Sequence, residues 1–419
     1  MSMLDGLLGV VLKVYQTILR GVSFFHPRAR LLIAGQDESY TRLKTWRSQF
    51  PNDKVMWLHA ASLGEFEQGR PVMEEFKRQF PDAKVVLTFY SPSGYEVRKN
   101  YSGADLILYL PLDTPFEMHR WVKCLHPTLL TLVKYEVWPN MLLALKKSEI
   151  PVVMISGIFR KEQRFFSGLL KGYWAKVLHR IDYFHVQDET SFSLLKGIGV
   201  DAMEVSGDTR YDRVAELAMS AKLDERYLRW KADSTVVVLG SSYPIEEEAV
   251  VAMVDEYPKV KWVIAPHHID EENIQRIERL FKGKTQRATG LGELNNAPIL
   301  LLNTMGELGG IYKLGEIAII GGGWGKGIHN VLEPAAHGCA VIWGPNAQKF
   351  LEAQTLREVG GGVQLNELKD LEKQLRRWLE NNSDRQNAGK TAREMIHQRT
   401  GAKDKVLKTM AEIWEGKKR

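Results

Sequence analysis

A chain of 419 residues is too long for one ordinary hydrophobic core and fits two domains of ordinary size. With 44% hydrophobic and 26% charged residues and no low-complexity tract, it cannot be a disordered chain. The net charge of +6 suits an anionic partner or, equally, a slightly basic soluble surface, and no Lys/Arg block resembles a nucleic-acid tail, so no nucleic-acid partner is expected. Two cysteines, Cys124 and Cys339, lie far apart with no CxxC pair, which argues against a zinc site or a disulfide framework.

In chain order, the first element is an amphipathic segment. Leu4, Leu7, Leu8, Val11, Val14, Tyr15, Ile18, Val22 and Phe25 recur at three- and four-residue steps and share one helix face. Asp5, Lys13 and Arg20 interrupt the run too often for a spanning helix, and Lys13 disfavours a signal peptide. Residues 1–30 are therefore read as a segment lying on a membrane, with Arg20, Arg28 and Arg30 near anionic headgroups; packing on the protein's own core is the alternative.

From residue 54 short apolar runs alternate with helical stretches. Strands are expected at 55–61, 84–89, 105–110, 129–133, 151–155 and 182–186, and a second series at 235–239, 261–265, 298–302, 316–320 and 340–343. This alternation implies βαβ units, parallel sheets and an α/β fold in two doubly wound halves: residues 31–205 and 206–419, the latter ending in terminal helices. Val406, Leu407, Met410, Ile413 and Trp414 form an apolar face in the last of these helices.

Ligands of open α/β sheets bind beyond the carboxyl ends of strands, so the loops there carry the chemistry. The first reads His59-Ala60-Ala61-Ser62-Leu63-Gly64-Glu65. Glu65 falls in the first turn of a helix, where the dipole favours a carboxylate able to accept a proton; on this evidence alone a plain first-turn residue is the better reading. His59 reads as a core strand residue. The fourth loop, Lys134-Tyr135-Glu136-Val137-Trp138-Pro139-Asn140, sets two charges before a Pro at a helix start; a surface ion pair is the alternative.

The second half carries a dense glycine run, Gly321 to Gly327, followed by Ile328-His329-Asn330-Val331-Leu332-Glu333-Pro334. Glycines here suit a close approach of backbone to phosphate. The run is not GxGxxG, because Lys326 stands at the third glycine, nor a Walker loop, because Ile320 replaces the first glycine and Gly327 follows the lysine. Gly240-Ser241-Ser242-Tyr243, with Glu246-Glu247-Glu248 beyond, and Asn303 through Leu308 follow two further strands, with amides suited to phosphate and carboxylates to ribose hydroxyls. No Asp-x-Asp motif occurs, so metal-independent transfer is expected.

Taken in order, Ser62-Leu63-Gly64-Glu65, Glu136-Val137-Trp138-Pro139-Asn140, Ala265-Pro266-His267-His268, Thr304-Met305-Gly306-Glu307-Leu308 and Gly327 through Pro334 resemble the bacterial Kdo (3-deoxy-D-manno-octulosonic acid) transferases. The resemblance runs from about Arg28 to the C-terminal helices. It implies a GT-B glycosyltransferase fold, two Rossmann-like domains facing a central cleft. It implies inverting transfer of Kdo from CMP-Kdo to a lipid A precursor in lipopolysaccharide synthesis, with no cofactor beyond that donor. Glu65 matches the family's general base, and Glu136 and Arg210 match positions assigned to transition-state stabilisation. Pro266, His267, Gly306, Glu307, Leu308, Asn330, Val331, Leu332 and Glu333 match the CMP-binding loops. The N-terminal helix matches an attachment segment on the cytoplasmic side of the inner membrane. Lys134 departs from a common Glu, Arg210 from a Lys and His267 from an Arg. The alternatives are a UDP-sugar-dependent GT-B glycosyltransferase of envelope synthesis and a non-catalytic membrane-attached binding protein.

Overall fold

The computed structural model describes Val14, residues 17–289, Leu294 and residues 296–417. The chain forms two compact units, one from the residues up to Asp212 together with those from Gly401 onward, the other Arg213–Thr400.

The first unit begins with helix α1 (Pro27–Gln49) and then winds β1 (Val55–His59), α2 (Leu63–Gln79), β2 (Lys84–Phe89), α3 (Pro92–Arg98), β3 (Leu106–Tyr109), α4 (Pro115–Leu125), β4 (Leu129–Val133), α5 (Pro139–Lys147), β5 (Val152–Gly157), α6 (Lys171–Leu178), β6 (Tyr183–Val186), α7 (Glu189–Lys196) and β7 (Met203–Val205). The seven strands pair in parallel in the order β3-β2-β1-β4-β5-β6-β7. Helices cover both faces, so β1 and β4 are buried along their whole length, and the sequence shows unbroken apolar runs instead of alternation. The strand order reverses between β1 and β4, and the loops carrying Glu65 and Glu136 leave those two strands.

The second unit begins within α8 (Thr209–Ser220) and continues with α9 (Glu225–Lys231), β8 (Val236–Ser242), α10 (Pro244–Ala249), α11 (Val251–Glu256), β9 (Lys261–Pro266), α12 (Glu271–Leu280), β10 (Thr285–Arg287), β11 (Ile299–Leu301), α13 (Leu308–Ile311), β12 (Ile317–Ile320), α14 (Leu332–His337), β13 (Ala340–Trp343), α15 (Leu351–Glu358), β14 (Gly362–Gln364), α16 (Asp370–Glu380) and α17 (Asn382–His397). Its sheet, also parallel, has the order β10-β11-β9-β8-β12-β13-β14, with the reversal between β8 and β12.

The last helix, α18 (Ala402–Trp414), packs with the first sheet although the sequence reading drew it with the second half. Val406, Leu407, Met410 and Trp414 bury against α2 and β4, and Trp414 meets Phe76 edge-on at 5.1 Å. Its N-cap, Gly401, has no side chain to cap with. Asp212 accepts the Gly401 and Lys403 N–H groups at 2.6 and 3.1 Å instead.

Of the N-terminal segment, residues 1–13, 15 and 16 lie outside the described residues, and with them most of the amphipathic face read from the sequence. Residues 17–23 are helical, and Ile18, Val22, Phe24 and Phe25 are exposed; Phe25 is 91% accessible. Arg20 pairs with Asp37 at 3.2 Å, and Arg30 closes the turn by donating to the Ser23 and Phe24 carbonyls. No helix among the described residues is long and apolar enough to cross a membrane.

Candidate active site

At the switch point of the first sheet, β1 ends at His59 and α2 starts four residues later, at Leu63. Glu65 is in the first turn of α2, its Oε2 accepting the Ser62 N–H at 2.9 Å in the manner of a capping box. It is 7% exposed. Burial raises its pKa; the Lys134 charge and the Ser62 amide pull the other way without cancelling the rise.

Glu136 follows β4. The Trp138 indole N–H donates to its Oε2 at 2.9 Å, and His59 Nε2 lies 3.9 Å from the same oxygen. Burial, reinforced by the Glu65 charge, pushes the Glu136 carboxyl up to about 8 against the pull of Trp138, Arg164 and Lys134. Two carboxyls that burial makes reluctant to ionise therefore influence each other at one place. The loop bearing Glu136 is fixed from below: buried Asp113 accepts the Asn140 and Met141 amides at 3.0 and 2.8 Å, capping α5. Lys134 adopts the left-handed region (φ 61°), which turns the chain between β4 and Glu136.

Arg210 opens α8. Its Nε and Nη2 donate to Asp208 Oδ2 at 3.0 and 2.8 Å, and its backbone N–H to Asp208 Oδ1 at 2.9 Å. Gln68 Nε2, one helical turn beyond Glu65, donates to the same Oδ2 at 2.9 Å. Burial opposes the charge of Asp208, but Arg210 and Gln68 hold its pKa below the usual value. Thr209 Oγ1 ties this loop to the α2 backbone at Gln68 O, 2.5 Å, and lies 3.0 Å from Ser156 Oγ at the end of β5. Gln68 and Asp208 were not found from the sequence. Neither sits in a spacing pattern, and their partnership spans 140 residues.

In the second unit the predicted residues fall into two groups. Gly306, Leu308 and Glu333 line a cavity of about 400 Å³ together with His337. Glu307, with Gly306, lines a second of about 630 Å³, where Tyr227 Oη and Thr304 Oγ1 donate to its two carboxylate oxygens at 2.8 and 2.7 Å. Asn330 Nδ2 donates to Glu333 Oε1 at 2.9 Å, while Asn330 Oδ1 accepts the Leu332 N–H at 2.8 Å. Pro266 ends β9, and Val331 and Leu332 are buried at the start of α14. His267 forms the other group: its ring stacks on Tyr243 at 4.9 Å and lies 4.6 Å from His329. Burial lowers the pKa of both histidines, that of His329 to about 4, so this aromatic cluster is uncharged at neutral pH. Tyr243 and His329 escaped the sequence reading, which weighed their loops by backbone and glycine content.

Two details of that reading change. Glu246 and Glu247 do not present carboxylates to a ligand: both are fully buried. Glu246 accepts the Gly322 and Tyr243 amides at 2.8 and 3.0 Å, so those donors are occupied from within, and Glu247 pairs with Ser242 and Arg276. The glycine run also has a packing reason. A Cβ at Gly321 would meet the Ser241 carbonyl oxygen at 2.0 Å, and one at Gly323 the Gly344 nitrogen at 2.4 Å.

Comparison with known proteins agrees with this geometry. Residues 37–213 match the model of the 3-deoxy-D-manno-octulosonic-acid transferase (kdotransferase) family. The 3-deoxy-D-manno-octulosonic acid transferase of Haemophilus influenzae is 28% identical over 370 residues, 85% of this chain and 86% of that one. In fold the chain is similar to UDP-GlcNAc 2-epimerase from Neisseria meningitidis (TM-score 0.60, 14% identity, 86% of this chain and all of that one). It is likewise similar to MurG of Acinetobacter baumannii (TM-score 0.54, 14% identity, 86% and 99%). The two parallel-sheet units are thus those of the GT-B fold. Residues 37–213 thus match the Kdo transferase family model, and the chain is similar in sequence to Kdo transferases over most of its length.

Proposed function

We propose that the chain transfers Kdo from CMP-Kdo to a phosphorylated lipid A precursor, by inverting displacement and without a metal. The observation that carries this reading is the buried carboxyl pair, Glu65 and Glu136, at the switch point of the first sheet, both with pKa values raised by burial. A sugar hydroxyl is a poor nucleophile until a base removes its proton, and a carboxylate whose pKa is raised toward the working pH is the better base. Glu65 takes that proton. Glu136 and Arg210, the latter oriented by Asp208, stabilise charge in the transition state. The loops around Glu307, Asn330, Glu333 and His267 take the nucleotide. Attachment to the cytoplasmic face of the inner membrane is part of the proposal, supported by the exposed Ile18, Val22, Phe24 and Phe25.

The donor is tested by calorimetry on the full-length protein. CMP is expected to bind at least about tenfold more tightly than UDP, a difference of about 1.4 kcal/mol. Equal affinity, or a preference for UDP, would move the assignment to a UDP-sugar enzyme.

A further inference from the structure

His59 is fully buried in the first sheet, beside Thr88 of β2, with which it is in register. The Trp57 indole, a donor only, gives its N–H to Thr88 Oγ1 at 2.8 Å. The Thr88 hydroxyl keeps its own proton to give, and His59 Nδ1 lies 2.9 Å away. An Nδ1 that accepts this proton leaves hydrogen on Nε2. Nε2 is buried, has no hydrogen-bond partner, and lies 3.9 Å from Glu136 Oε2. The geometry points to His59 as a positioning residue: Trp57 and Thr88 fix its tautomer so that a neutral imidazole directs its Nε2–H at the Glu136 carboxyl group and tightens onto it when substrate binds. Catalytic hydrogen bonds are commonly long before substrate binds.

Burial holds the His59 pKa at about 3 against the upward pull of a hydrogen bond with the Thr88 backbone, so the ring remains uncharged through the working range and acts as a donor without adding a positive charge. The other groups bearing on Glu136 are Glu65, Lys134, Tyr135, Arg164 and the Trp138 N–H. A neutral donor stabilises the carboxylate form, so its loss raises the pKa of Glu136.

The inference rests on the transferase reading for its kinetic arm alone. The first arm is a long-range ¹H–¹⁵N correlation spectrum of the full-length protein labelled in histidine, with His59 assigned by its absence in His59→Gln. The expected result is a neutral Nε2–H tautomer at pH 7; an Nδ1–H tautomer, or a charged ring, would overturn the proposal. The second arm is the pH profile of kcat. Thr88→Val and His59→Phe are expected to move the limb set by Glu136 upward by about 0.5–1 pH unit, with KM for the donor within about twofold, and His59→Gln, which keeps an N–H donor, to restore most of the shift. A fall in melting temperature with an unmoved limb would make His59 a packing residue only and sink the idea. If wild-type protein yields no product, the transferase reading fails, and the spectrum still decides the tautomer.

Discussion

Glu65 and Glu136 follow the adjacent strands β1 and β4, and each is shifted by burial more than by any neighbour. Their roles separate by substitution. Glu65→Gln keeps the size and the Ser62 contact but cannot take a proton, so turnover is expected to fall by at least about 10²-fold. CMP affinity should hold, because the loops proposed to take the nucleotide belong to the second unit. Glu67, paired with Arg98 at 2.8 Å, is the control and should tolerate the same change. Near-normal transfer by Glu65→Gln would pass the base role to Glu136. Glu136 has a stability signature as well. Its folded pKa of about 8 lies above the unfolded value near 4.5, so the fold prefers the protonated acid. Stability from this group is therefore intact below about pH 4.5 and is lost as pH rises through about 8, on the order of 5 kcal/mol in all. Denaturant unfolding at pH 5.5 and pH 8.5 should show wild type losing more stability than Glu136→Gln; equal losses would contradict the shift. The positions of both acids were legible because loops after strands are where such folds work. The raised pKa values were not, since burial belongs to the fold. The same limit hid Asp208 and Gln68, and it made His59 read as core, which its burial bears out while its unpartnered Nε2 adds a polar task.

Among the elements, long apolar strands declared themselves. The expected strands at 84–89, 129–133 and 340–343 coincide with β2, β4 and β13. Three strands escaped: β7, β10 and β14, each of three residues at or beside a sheet edge, reading Met-Glu-Val, Thr-Gln-Arg and Gly-Val-Gln. Edge strands are short and polar because a long apolar edge would pair with other chains, and that removes the pattern a sequence reading needs. The apolar face of α18 was visible, but its partner was not: an amphipathic stripe says that a helix buries a face without saying against what. At the other end, Phe24 and Phe25 are apolar and exposed beside Arg20, Arg28 and Arg30. The double change Phe24→Ser with Phe25→Ser is expected to move the protein from the pellet to the supernatant when sedimented with vesicles containing anionic phospholipid, while transfer to a short-chain, micelle-dispersed acceptor is retained. Unchanged sedimentation would remove these residues from membrane binding.

For the whole molecule, two doubly wound units of the same architecture divide the work in this account, the acceptor chemistry in the first and the nucleotide in the second. The two-unit architecture was readable from the sequence because every motif follows a strand, and each sheet reverses its order once, β1 beside β4 and β8 beside β12. The chemical identity of the donor is less legible. The amides that the glycine run offers are partly consumed by Glu246, and the side chains left to recognise a nucleotide are the Tyr243–His267–His329 cluster and the acids Glu307 and Glu333. The most direct measurement of the central claim is mass spectrometry of the lipid recovered after incubating purified protein with CMP-Kdo and a tetra-acyl, bis-phosphorylated lipid A precursor. The account predicts that the lipid gains the mass of at least one Kdo residue, with release of CMP, and that UDP-GlcNAc in place of CMP-Kdo gives no product. An unmodified lipid beside intact CMP-Kdo, or a product formed from the UDP-sugar, would contradict it.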